Sequence, residues 1–192
     1  MAARMRSPRA LLVVLPLAIT LAVAAPARAE LRLSDLAVYL NDHEVTVHVV
    51  ALGAVPPSFE ESIQTGIPAH MKFTIELWQY NRLLPDRLLN RFVVERNLVY
   101  NVVAKEYRVA SLKGETRPVY TTRELRDAQR IVSEVRAVKL TPASALPPDA
   151  VIYVRIRAEA ALNGENSFVA RMAGTAEQTE MQSDYRIIRR VQ

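Results

Sequence analysis

The sequence predicts an α+β fold that is predominantly β: an antiparallel β-sandwich or a strongly curved sheet, with two helices in the connections. Three observations carry this. Apolar and polar residues alternate with period two in short runs between Leu31 and Ala161, the mark of strands with one buried face. The central runs follow one another through short connections, as an antiparallel meander does. Helical spacing is confined to two stretches, one after Pro57 and one after Thr121.

Ahead of the first strand, Arg4, Arg6 and Arg9 precede an apolar run from Ala10 to Ala25, and Ala27-Arg28-Ala29 supplies small residues around a cleavage point. This is the layout of a Sec-type signal peptide over residues 1–29, cut after Ala29, which leaves residues 30–192 as one strand-rich globular domain. The rival reading is an uncleaved anchor, since the run is only a little short of a spanning helix. Pro26 breaks the helix beside the site and favours cleavage. The expected location is periplasmic or secreted, with no stable membrane span once the peptide is removed. A chain of 192 residues without cysteine has no disulfide, no thiol nucleophile, no zinc-thiolate site and no lipobox anchor.

Charge is read after this division. The chain carries 25 Lys+Arg against 20 Asp+Glu, a basic balance that would suit nucleic acid. Arg4, Arg6, Arg9 and Arg28 fall before residue 30 and no acid does, so the mature domain is nearly neutral. Arg186, Arg189 and Arg190 form the one basic cluster, better read as a solvated strand end, and no nucleic-acid partner is expected.

Leu36, Val38 and Leu40 alternate in the first strand, and Val45, Val47, Val49 and Ala51 in the second. Asn41-Asp42-His43 between them tolerates the conformations of a tight hairpin. Pro56-Pro57 ends the strand, Ser58 with Glu61 reads as a capping box, Phe59 and Ile63 give the helix an apolar edge, and Gly66 stops it. Met71, Phe73, Ile75 and Leu77 then oppose Lys72, Thr74, Glu76, Trp78 and Tyr80 on a half-buried strand. Asn81 to Asp86, with Pro85, is a turn. Leu88 to Leu98 forms the next strand, Arg96-Asn97 a reversal, and Val99 to Leu112 a third strand.

Lys113-Gly114 is a turn and Pro118 to Tyr120 a short extended piece. Thr121 and Glu124 read as a second capping box, opening a helix from about Thr122 to Ala137 with Leu125, Ala128, Ile131, Val132 and Val135 on its apolar face. Thr141 to Asp149 is a stiff proline-containing connection, Val151 to Ala161 a clear strand, and Asn163 to Met181 a polar loop with one helical turn. Tyr185 to Val191 closes the sheet. The total is six or seven strands.

Catalytic patterning is missing. His43, His48 and His70 have no metal-ligand spacing. No Gly-x-Ser-x-Gly, Ser-x-x-Lys or glycine-rich phosphate loop occurs, and five glycines lie far apart. Glu60-Glu61 suits a helix start. Asp86 suits a turn in which it caps its own backbone. No catalytic residue, cofactor or metal is expected, and the protein is read as a non-enzyme. The candidate partner-binding residues are Trp78, Tyr80 and Arg82, residue types that dominate binding hot spots. They are exposed if the sheet is covered on one side only, and core if a second layer or the main helix lies on their face, which is the commoner arrangement.

Gly66-Ile67-Pro68, Asp86, Tyr100-Asn101 and Tyr107-Arg108-Val109, in that order, resemble the wording of a bacterial exported family known as domain of unknown function 4390. The resemblance covers most of the mature chain. It implies an envelope protein of uncharacterised activity, with no catalytic residues to carry over and with some members encoded beside membrane-bound sensor kinases. An aromatic-rich last strand is expected of the family, whereas Tyr185 is the only aromatic here after Phe168.

Two functions fit. The first is a non-catalytic envelope module that binds a protein partner, with two readings open: an association with a membrane-bound sensor kinase, which the context of some family members suggests, and a role as an assembly factor. The alternative is a periplasmic carrier or sensor of an apolar ligand, held between the sheet and the main helix.

Overall fold

The computed structural model describes residues 30–40, 43–164, 166 and 168–187. Residues 1–29, read above as a signal peptide cut after Ala29, Asn41-Asp42 of the expected first turn, and the part of the expected closing strand from residue 188 onward lie outside the described residues. In chain order the strands are β1 (Arg32–Leu40), β2 (Glu44–Leu52), β3 (Ala69–Gln79), β4 (Arg87–Asn101), β5 (Glu106–Lys113), β6 (Tyr120–Thr122), β7 (Glu134–Pro142), β8 (Val151–Leu162), β9 (Ala176–Gln182) and β10 (Arg186–Ile187). The helices are α1 (Pro57–Gln64), α2 (Leu125–Ser133) and α3 (Phe168–Met172), with a 3₁₀ turn at Ala143–Ala145.

The strand pairings described are antiparallel. A small sheet has the order β1-β2-β7, and a large sheet runs β10-β8-β3-β4-β5-β6, with β9 also on β8. The inner faces meet in one core. Val45, Val47 and Val49 of β2 and Phe73, Ile75 and Leu77 of β3 are fully buried, so the alternation in the sequence marks the inner faces as expected. The fold is α+β and predominantly β, a sandwich of two antiparallel sheets. β1 lies beside β9 and β7 beside β4, where the Asn90 amide donates to the Leu140 carbonyl.

Both edge strands of the small sheet change parity. Leu33 and Val38 are both buried because a bulge between Ser34 and Ala37, with Asp35 at φ 52°, inserts an odd residue. Ala137 at φ 50° lies between buried Val135 and Val138 in β7. Bulged edges resist pairing with other chains.

Several expectations are corrected. The reversal falls at 102–105 and not at Arg96-Asn97, because Asn101 accepts the N–H groups of Val103 and Ala104, each at 3.0 Å, and β4 runs straight through Arg96. Neither capping box forms: Pro56 occupies the N-cap of α1, which leaves Ser58 too far inside, and Glu124 starts α2. The second helix ends at Ser133, and 134–137 turn into β7 because Glu134 and Val135 pair with Val50 and Val49. The region from Asn163 to Met181 holds the one helical turn expected of it, α3, but its second half is the edge strand β9 and not a loop. The stop at Gly66 holds. Gly66 at φ +95° lets its N–H reach the Ile63 carbonyl and the Ile67 N–H reach the Ser62 carbonyl, the two hydrogen bonds of a Schellman cap.

Candidate functional site

Helices α1 and α2 and the small sheet lie on the inner side of the large sheet, where Phe59, Ile63, Ala128 and Val132 are buried. The outer face carries instead a half-exposed lattice of ion pairs across neighbouring strands: Lys72 to Glu159 at 4.0 Å, Arg91 to Glu76 at 2.8 Å, and Arg155 and Arg157 to Glu180 at 3.4 and 3.3 Å. Pairs of this kind keep a face soluble without contributing much stability.

At one end of this face the lattice gives way to rings. Register places Trp78 of β3 opposite Tyr153 of β8. Their rings stack with centroids 6.4 Å apart and planes 8° from parallel. Arg155, two residues on and therefore on the same face, holds its guanidinium 5.2 Å from the Trp78 ring and 6.0 Å from that of Tyr153, a cation–π arrangement. Tyr185 stands edge-on to Tyr153 at 5.2 Å and to Tyr80 at 5.1 Å.

Polar bonds fix the cluster from beneath. The Tyr153 hydroxyl donates to Asp86 at 2.8 Å, while the other Asp86 oxygen accepts the Asn81 N–H at 2.9 Å and closes the loop. The Trp78 indole N–H donates to Glu76 at 3.0 Å, and Glu76 is held in turn by Arg91. Burial and the Asp86 carboxylate push the Tyr153 phenol up to about 12, so the ring stays neutral as a donor. Around this frame Tyr80, Leu83, Leu84, Leu88 and Tyr185 are exposed.

Trp78, half-buried, and Tyr80, exposed, thus lie on the uncovered face and not in the core, because α1, α2 and the small sheet are on the other side. Arg82 is exposed in the loop, and the cation over the indole is Arg155. Tyr153, Tyr185 and Arg155 escaped the sequence reading. Two-residue spacing from Tyr153 to Arg155 signals a shared face, but nothing local says that this face meets Trp78. Asp86 acts as expected, as a turn acid bonded to its own backbone, and also ties the loop to β8.

Elsewhere, His48 lies 3.5 Å from Glu134. Burial would raise the Glu134 carboxyl, but hydrogen bonds from Arg136 and His48 outweigh it and hold the group below its usual range. Partial burial holds His70 low. Among the described residues no three His, Asp or Glu side chains stand close enough to hold a metal ion, and no helix is long and apolar enough to cross a membrane.

The sequence model of a family described as "Domain of unknown function (DUF4390)" matches residues 28–186. The chain belongs to this family. Neither the curated proteins nor the solved structures offer a match. The words by which the chain resembles the DUF4390 family are its joints: Gly66 caps α1, Asp86 ties the β3–β4 loop to β8, Asn101 builds the β4–β5 hairpin, and Tyr100 packs on Tyr107 across that hairpin at 4.7 Å. The lone late aromatic, Tyr185, is the ring that joins Tyr80 to Tyr153.

Proposed function

We propose that this DUF4390 protein is an exported, non-catalytic envelope module that binds a protein partner through the aromatic end of the outer sheet face. One observation carries the reading: Trp78, half-buried beneath Arg155, is framed by the exposed Tyr80, Tyr185, Leu83, Leu84 and Leu88. Aromatic rings and arginine beside a desolvatable apolar rim are the composition of a binding hot spot. Support for export comes from the arginines, apolar run and Ala27-Arg28-Ala29 at the N-terminus, and the partner implied by the family is a membrane-bound sensor kinase. The apolar hollow between α2 and the large sheet is about 190 Å³, little more than the roughly 150 Å³ that holds one benzene-sized ring, which counts against a carrier of a long apolar ligand there.

The test is a crosslinking pull-down from the native envelope with wild type and Trp78→Ala, after circular dichroism shows that the variant is folded. Loss of one specific partner from the folded variant is the expected result. An unchanged set of partners removes the aromatic end from the interface.

A further inference from the structure

On the inner side of the large sheet, where β5 and β6 meet α2, two hollows adjoin. The first, of about 190 Å³, is walled by Val109, Ser111, Pro118, Tyr120 and Ile131 over the buried Arg96. The second, of about 210 Å³, is bounded by Arg130, Glu134 and Arg136. Arg117 and Ile131 line both, so the two hollows lie side by side along one cleft edge, apolar on one side of these residues and rich in arginine on the other.

Size decides what the apolar end takes. An apolar cavity of about 150 Å³ holds one benzene-sized ring, so this hollow admits a single bulky side chain and not a whole lipid. Charge decides the other end. Arg130 and Arg136 are well exposed and Arg117 partly so, while the nearby carboxylates are already engaged. Glu115 holds Arg96 at 2.7 Å, Glu134 is bonded to Arg136 and His48, and Asp127 is 3.8 Å from Arg130. Arg117 reaches only the far side of the Glu115 carboxylate, at 3.6 Å. A guanidinium has five N–H donors, and these contacts use a fraction of them.

We infer that this cleft binds a peptide segment in which a carboxylate lies within a residue or two of one bulky apolar side chain. The apolar side chain enters the hollow over Arg96, and the carboxylate accepts hydrogen bonds from the Arg117, Arg130 and Arg136 forks, the geometry that suits arginine to carboxylates. This surface is on the opposite side of the large sheet from Trp78 and does not depend on the aromatic end.

The probe is a fluorescein-labelled peptide, Gly-Ser-Ser-Phe-Asp-Glu-Ser-Gly, titrated against protein purified from cells expressing the full chain. Saturable binding is expected, weakened at least about tenfold, or ~1.4 kcal/mol, in the double variant Arg130→Gln/Arg136→Gln, whose sites are too exposed to disturb folding. Replacing Phe by Ser, or Asp-Glu by Asn-Gln, in the peptide weakens it similarly. In wild type, peptide-induced amide NMR shifts gather at Ser111, Arg117, Tyr120 and Ile131. Absence of saturable binding, binding indifferent to the double variant, or shifts confined to Trp78 and Tyr80 overturns the inference. Dodecanoate binding there in place of the peptide overturns the assigned occupant.

Discussion

Arg96 is the costliest side chain of the core, and its surroundings show how the cost is met. Its guanidinium is buried and receives a bidentate carboxylate from Glu115 at 2.7 Å, while a third nitrogen donates to the Ile131 and Glu134 carbonyls at 2.6 Å, capping the end of α2. Removing one partner of a buried pair typically costs about 3–5 kcal/mol. Arg96→Met is therefore expected to lower the urea midpoint by that equivalent without changing the slope. Tyr153 supplies a pH signature. Its folded-state value near 12, above the ordinary 10, means that the native state keeps a proton the unfolded chain loses. The stabilisation is complete below pH 10 and is lost as pH rises towards 12, amounting to about 2–3 kcal/mol at 1.36 kcal/mol per unit. Tyr153→Phe should flatten that part of an alkaline unfolding profile. Sequence reading placed Trp78 and Tyr80 on a face but missed Arg96, because an arginine followed by asparagine looks like a turn until its bonding partners, 19 to 38 residues away, are known.

At the scale of elements, the legible ones were those whose pattern is decided locally. The β1–β2 hairpin, β3, β8 and the Gly66 stop each follow from alternation or backbone freedom within a few residues. β7 and β9 did not, for different reasons. Glu134 to Ala137 extends the helical spacing of α2, and only pairing with β2 makes it a strand, a tertiary override of local preference. Ala176 to Gln182 is polar on both faces because it is an edge, where Glu180 answers Arg155 and Arg157 of β8. The β5–β6 connection gives a sharp test of backbone geometry. Gly114 has φ +82°, and a Cβ added there would overlap the Val93 carbonyl. Gly66 has φ +95°, and a Cβ added there would make only ordinary van der Waals contact, with a Val102 methyl at 3.7 Å and the Tyr100 carbonyl oxygen at 3.8 Å. Gly66→Ala should thus cost only the left-handed penalty of about 1–2 kcal/mol, and Gly114→Ala more, roughly 2–4 kcal/mol, because strain and clash add. Thermal denaturation of the two variants in parallel orders them.

At the scale of the molecule, the sheets are sealed against each other at both margins, and the edges of the small sheet are bulged. The outer face of the large sheet remains, charged along most of its length and aromatic where the β3–β4 loop ends it. The sandwich class was readable from alternating runs and short connections, although the described residues form ten strands where six or seven were expected, since β7 and β9 carry no strand pattern of their own. Which face of β3 would stay uncovered was not, since that follows from where α1, α2 and the small sheet pack. Whether the aromatic end is a docking surface is decided by placing a photo-crosslinking amino acid at Leu84, exposed beside the cluster, and separately at Val103, exposed at the opposite end of β4. Irradiated in the native envelope, Leu84 should yield a specific adduct with one envelope protein that Val103 does not. No adduct from Leu84, or the same adducts from both positions, would contradict the claim.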